Sequence, residues 1–471
     1  MSERGVARDS MTERAAVRAA TDSIWTPPLG RLTLGLVLTV VATAFEALAV
    51  ATVLPTTTAE LGGLAWYGWT FSAFMLANLV GITIGGNETD RRGPALPFIA
   101  GAALFAGGLV VSGLAPSMPV IVFGRTSQGF GGGLLSAVAY ASIARAYAVE
   151  LQPRMLATLS SAWVVPGLVG PGLASVIAEH FGWRWVFLGL APLLAFAAVL
   201  VVPALRTERG DPAGPDGTAR TWMAVQLAIG STVALAGLDA HRPRLVGLAL
   251  VAIGSVVAVR ALRSLLPAGT LVGRAGLPAA VATMGLLNFA FFGTEAFVPL
   301  AIVDVRGAGI MLNGLALTAA ALTWTSGAWI QVRLATRTAP RTVIVGGLAI
   351  LGVGIAGAAL LVTAWMPIGG AVVWWAIAGL GMGLAFTTCS AAILEAAEPG
   401  QEGAASASLQ LAQVLGAAVA TGIGGAIVAA PFAGVPPARG IGVVDAVMLV
   451  ALAGAILAAR NVRGRAEIRS E

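Results

Sequence analysis

The feature that most constrains this chain is its division, by charged or Pro/Gly-rich breaks, into apolar runs long enough to cross a bilayer. About 20 apolar residues cover a hydrocarbon core of roughly 30 Å. The breaks leave fourteen such runs, at approximately 31–55, 64–86, 95–115, 118–144, 155–178, 185–205, 222–238, 245–261, 275–303, 308–332, 342–365, 367–394, 404–430 and 441–459. With 57% hydrophobic and 11% charged residues and a mean hydropathy of +0.87, the composition lies far outside that of a soluble domain. The runs predict an all-α, multi-pass membrane protein. The seventh and eighth have only 17 residues each, the lower limit for a span, so twelve helices with a re-entrant or interfacial insert form the topological alternative.

Arginine placement tests the count, since all 28 basic residues are arginine. With the N-terminus in the cytoplasm, 22 of them fall in tails and inside loops, 5 in outside loops, and Arg125 within a span. That bias predicts two cytoplasmic termini and an even number of spans in the cell membrane. It also accounts for the net charge of +6 through the anionic cytoplasmic leaflet, without a nucleic-acid partner. The expected organisation is a cytoplasmic tail at 1–30, six helices in 31–205, a Gly/Pro-rich linker at 206–221, two additional central helices in 222–261, six helices in 275–459, and a tail at 460–471. Residues 1–30 lack the apolar core of a signal peptide.

Several chemistries drop out. Without lysine no Walker-type phosphate loop can form, so the chain is expected to use no nucleotide. His180 and His241 lie in different predicted outside loops and Cys389 is isolated, which leaves no metal, cofactor or nucleophile constellation and argues against an enzyme.

Within the first run, Arg31 to Pro55, stands Glu46; within the ninth, Leu277 to Val303, stands Glu295. A carboxyl group at membrane depth is costly unless it functions. The two fall in the first span of each set of six. Met118-Pro119 and Met366-Pro367 open the fourth span of each set, and Gly129/Gly131 and Gly379/Gly381 follow them. Repeated six-helix halves with a site between them are a common build of secondary transporters.

Four local patterns carry a family resemblance. After the second span comes Gly86-Asn-Glu-Thr-Asp90-Arg91-Arg92-Gly93, continuing to Pro94. The fourth contains Arg125-Thr-Ser-Gln128-Gly129, and the fifth Pro166-Gly167-Leu-Val-Gly170-Pro171-Gly172. The first reads Glu46-Ala-Leu-Ala-Val-Ala51-Thr52-Val-Leu-Pro55. Together they resemble the gating-loop, arginine, antiporter and first-helix signatures of the major facilitator superfamily, in its fourteen-helix drug:proton antiporter branch. Departures are Pro94 in place of a basic residue, Ala174-Ser175 in place of a Gly pair, Glu46 for Asp and Ala51 for Asn. The resemblance implies the major facilitator fold and proton-coupled export, with membrane lipids around it and a monomer sufficient.

A carboxyl group in an apolar cavity can load and release a proton near neutral pH. Glu46 and Glu295 are therefore the candidate proton carriers, with a structural hydrogen-bonding role the alternative for Glu295. Arg125 is the candidate partner of Glu46, with snorkelling to the outer interface as the alternative. Asp90, Arg91 and Arg92 would clamp two helix ends in one conformation and release them in another. Candidate cavity residues are Asn78, Gln128, Trp163, Asn288, Phe292, Asn313, Trp324, Thr387, Gln410 and Gln413. Aromatic faces and few polar groups suit small lipophilic, cationic molecules. A lipid, siderophore or other endogenous metabolite on the same fold is the alternative.

Overall fold

The computed structural model describes residues 23–26, 29–148, 150–210, 217–238, 243–334, 337–363, 365–397, 402–430 and 437–462. Most of the expected tails, and residues 211–216 of the expected linker, lie outside them. The long elements are all helical: α1 Leu29–Leu61, α2 Tyr67–Arg92, α3 Ala95–Gly113, α4 Met118–Ala146, α5 Gln152–Ser161, α6 Val164–Phe181, α7 Arg184–Leu188, α8 Leu190–Leu205, α9 Thr218–Ala236, α10 Arg244–Leu265, α11 Leu277–Glu295, α12 Ile310–Leu334, α13 Pro340–Ala359, α14 Gly370–Glu395, α15 Glu402–Ala429 and α16 Pro437–Ala459. Eleven helical stretches among the described residues are long and apolar enough to cross a membrane. The helices α4, α9 and α12 add lengths of 29, 19 and 25 residues.

Proline sets the interruptions. The fifth run is broken into α5 and α6 just before Pro166, and the ninth ends its regular helix at Glu295. Pro299 has no N–H to give the Glu295 carbonyl and its ring crowds that carbonyl, so the helix stops there. A short turn at Val298–Leu300 and a π-helical stretch at Ala301–Val305 complete the run. The pair α9 and α10 is longer than the sequence suggests, because α9 begins inside the expected linker and α10 extends past Arg263.

Glycine contacts reveal a repeat. A Cβ at Gly129 would collide with Phe74 O and one at Gly133 with Asn78 O; a Cβ at Gly379 would collide with Ala320 O and one at Gly383 with Trp324 O. Likewise Gly131 lies against Gly101 O and Gly381 against Gly347 O. Small residues thus let α4 sink onto α2 and α3, and α14 onto α12 and α13, in the same register. The helices α1–α8 and α11–α16 form two similar bundles. The α9–α10 hairpin leans on both: Leu227 packs with Leu79 of α2 and Leu411 of α15, and Leu235 with Leu76 and Ala418.

The bundles meet at the end where α1 turns into α2. Tyr67 Oη donates to Ala296 O at 3.0 Å, Asn313 Nδ2 to Thr52 O at 3.0 Å and Ser175 Oγ to Ile310 O at 3.1 Å, while Ser72 and Thr421 hydroxyls pair at 3.2 Å. Gly68 and Gly425 touch through their backbones at the same end.

Candidate functional site

Glu46 projects from the middle of α1 and is 1% exposed; Arg125, on α4, is 2% exposed. The two form an ion pair. Among the described residues no other group bonds the Glu46 oxygens. Arg125 is held from three further directions: Nε donates to Thr70 O at 3.1 Å, Nη1 donates to Gln128 Oε1 at 2.6 Å, and the guanidinium lies 4.1 Å from the Phe74 ring centre. Gln128 Nε2 in turn donates to Ser112 Oγ at 3.0 Å. Four helices therefore fix one cation at membrane depth. The guanidinium stays charged at any relevant pH, so Glu46 is the member of the pair that can change state.

The opposite bundle has an aromatic wall in the corresponding place. Phe292 and Trp324 lie 6.3 Å apart, and Phe291, Phe386 and Trp375 extend the group. Trp375 is buried and stacks on Phe291 at 5.1 Å and 19°. The faces of Phe292, Trp324 and Phe386 remain partly exposed. By the glycine register Trp375 occupies the place of Arg125, and it stacks on Phe291 of α11 where Arg125 meets Glu46 of α1. Glu295 sits one turn beyond Phe291, partly exposed, at the end of α11.

The remaining candidates scatter. Asn78 donates to Gly129 O at 3.2 Å, Asn288 to Met284 O at 2.9 Å, and Thr387 to Gly383 O at 2.8 Å, so these polar groups serve helix packing or their own helix. Asn313 bridges to Thr52 O, in the turn that Pro55 weakens. Gln410 and Gln413 are half-buried on α15, and Trp163 is 50% exposed between α5 and α6. Gly167 faces Ala321, Gly170 faces Phe45, Pro171 abuts Gly314, and Gly172 opens onto free space. That segment is the seam of α6 with α1 and α12.

At the end away from the bundle contacts, Asp90 pairs with Arg145 of α4 at 2.8 Å, and Arg92 with Glu88 at 2.9 Å. Arg91 is exposed and Gly86 has open space beside it. Gly93, with φ of 90°, makes the turn and packs under the backbone of Glu208 to Gly210. Gly217 N donates to Asn87 Oδ1 at 3.1 Å. Arg145, Glu208, Arg209 and Gly210 line an open surface hollow of about 390 Å³. Burial pushes the Glu208 carboxyl above its ordinary range, and Arg145 offsets this only in part.

Sequence reasoning missed Phe291, Trp375 and Phe386, since aromatics inside apolar runs carry no mark of where they face. It also missed Thr70 and Ser112, and Asp445 of α16, an acid inside the last apolar run that is 2% exposed.

Two bundles in register, one carrying a buried ion pair and the other an aromatic wall, describe a carrier scaffold, and the family comparison agrees. The model of the Major Facilitator Superfamily matches residues 34–421. The chain belongs to the Major Facilitator Superfamily, a family of membrane transporters. It is 28% identical over 405 residues, 82% of its own length and 85% of the other's, to a Mycobacterium tuberculosis protein described as a probable multidrug-efflux transporter. A multidrug resistance protein B homolog of M. tuberculosis is 26% identical over 377 residues, covering 75% of this chain and 68% of that one. Among solved structures, a bacterial homolog of the human lysosomal transporter Spinster aligns with a TM-score of 0.67 at 14% identity, over 93% of this chain and 98% of that one.

Proposed function

We propose that this superfamily member is a proton-coupled exporter of small lipophilic cations, crossing the membrane fourteen times with both termini in the cytoplasm. The arginine bias supports an inner location for the Asp90 end, so that the bundle contacts at Tyr67 and Ala296 close the outer side. The observation that carries the reading is the buried Glu46–Arg125 pair. A proton entering from outside neutralises Glu46 and frees it from Arg125; the pair re-forms when that proton leaves inward. The fixed cation sets the cost of leaving Glu46 charged and unpaired, and so ties proton release to one arrangement of α1 against α4.

The substrate class follows from the aromatic wall. Phe292, Trp324 and Phe386 offer ring faces to a delocalised cation while burying its apolar surface. The similarity to relatives named for multidrug efflux supports export of such compounds, and the antiporter-like segment of α6 seals its seam with α1 and α12. Asp90 and Arg145 hold the inner ends of α2 and α4 together as one rigid lever.

The deciding experiment is proton flux in proteoliposomes carrying a pH-sensitive dye, with tetraphenylphosphonium as substrate. Native protein should move protons against substrate, and Glu46→Gln should abolish that movement while still binding substrate. PH-dependent exchange that survives in Glu46→Gln would sink the assignment, and flux with no lipophilic cation would redirect it to lipids or metabolites.

A further inference from the structure

Asp445 lies in α16, where that helix packs on the end of α11. Its carboxyl faces the Thr294 hydroxyl. Both residues are almost fully buried, at 2% and 1% exposure, yet neither Asp445 Oδ1 nor Thr294 Oγ1 completes a hydrogen bond among the described residues. The seam around them is tight and apolar. Val444 and Met448 are wholly buried, and a side chain at Gly293 would collide with Met448.

No described cation faces this carboxyl. On α11 the only titratable neighbour is Glu295, itself an acid. In the π-helical stretch Asp304 is another acid, and the following Arg306 spends its guanidinium on Leu361 O, Thr363 O and Met366 O at 2.7–3.0 Å. Arg341 on α13 and Glu402 on α15 stand at the first turns of their helices, at the opposite end of the bundle. Arg439, on α16 itself, is exposed. A carboxylate in this seam would be charged, buried and uncompensated, whereas a neutral acid fits and has a proton to offer Thr294.

The location gives that proton a consequence. Thr294 is one residue before the point where α11 stops and two before Ala296, whose carbonyl receives the Tyr67 hydroxyl across the closed end. The interrupted backbone that closes the bundles on each other is also the backbone that seats Asp445.

We propose that Asp445 is a second proton-binding site of this chain, neutral while α16 seats against α11 and ionised when the Tyr67–Ala296 closure opens. Its protonation does not depend on the exporter reading; its coupling to the cycle does. Glu46 and Asp445 then titrate in different bundles, one against a fixed cation and one against none.

Infrared spectroscopy of the purified full chain tests the site directly. With carboxyl-13C aspartate, the native protein at neutral pH should show an isotope-shifted stretch of a neutral carboxylic acid, lost in Asp445→Asn and kept in Asp304→Asn. Absence of that band in native protein, or its survival in Asp445→Asn, overturns the proposal. Should Asp445→Asn fail to fold, Asp445→Glu decides in its place: it keeps a carboxyl in the seam but removes the labelled aspartate, so the isotope-shifted band should be lost there too, and its survival overturns the proposal. Coupling is read from protons released by detergent-solubilised protein on adding tetraphenylphosphonium. Asp445→Asn should release fewer than native, and an unchanged number overturns the link to closure. Release of none by native protein would defeat the exporter reading while the infrared result still decides Asp445.

Discussion

The two bundles share a scaffold and divide the chemistry. In the glycine register, Thr70, Ser112, Arg125 and Gln128 of the first bundle correspond to Ala316, Ala358, Trp375 and Ala378 of the second. One bundle uses those positions to hold a charge, and the other fills them with methyl groups and one large ring. The backbone approach of the fourth helix, set by glycine, is common to both; what differs is whether the gap is filled by a charge network or by an aromatic stack. A repeated fold therefore becomes an asymmetric machine through four side chains. Under the proposed function, the first bundle handles the proton and the second the substrate.

The comparison breaks first at the ion pair. Removing one member of a buried pair leaves the other charge uncompensated, at a cost of about 3–5 kcal/mol. Glu46→Leu and Arg125→Leu should each lower stability by that order in denaturant titration. The double variant should lose far less than the sum, because neither orphan charge remains. Additive losses would mean that the pair contributes nothing as a pair. Trp375→Leu, at the equivalent place, should behave as an ordinary core truncation and leave proton movement intact.

Much of this asymmetry was legible in the sequence and some was not, for physical reasons. Glu46 and Arg125 stand out because a charge inside an apolar run has few explanations, and the glycines at 129, 131, 379 and 381 mark the shared scaffold. The wall was only half visible. Phe292 and Trp324 look no different from any lipid-facing aromatic, and Trp375 gains its meaning only once Gly379 and Gly383 fix the register against α12. Asp445 carries the same signal as Glu46, a lone acid inside an apolar run. What makes it informative is Thr294 across the seam, a contact between distant segments that no local pattern encodes. The sequence sets Asp90 beside Arg91 and Arg92, but its partner is Arg145, at the end of a different helix and far along the chain.

The shared scaffold predicts matched losses. Gly129→Ala and Gly379→Ala each drive a methyl group into a backbone carbonyl, so each should cost about 1–3 kcal/mol through overpacking. Similar shifts in the unfolding midpoint would confirm that the two bundles are held by the same device. A large loss in one and none in the other would dissolve the repeat. The aromatic wall should respond differently: Phe292→Ala and Trp324→Ala remove half-buried rings, and tetraphenylphosphonium binding should weaken by about 0.5–2 kcal/mol if cation–π contact contributes. Isothermal titration with a neutral compound of equal size separates the charge effect from lost area.

The smallest expected effect lies in the connection between the bundles. Glu208 packs over Gly93 with its Oε2 buried and unpartnered among the described residues, and burial raises its pKa while Arg145, already engaged by Asp90, offsets little. An acid whose folded pKa is raised binds more protons folded than unfolded, so its contribution favours docking at low pH and is lost as pH rises through the unfolded and then the folded pKa. The segment from Glu208 to Gly210 should therefore sit more loosely on the Gly93 turn as pH rises through that window. Glu208→Gln should remove the dependence and keep the segment docked at the upper end. Hydrogen exchange of the Arg209 and Gly210 amides across the window reads this directly, and pH-independent protection in the native chain would show that the Glu208 carboxyl is not what holds the segment to the first bundle.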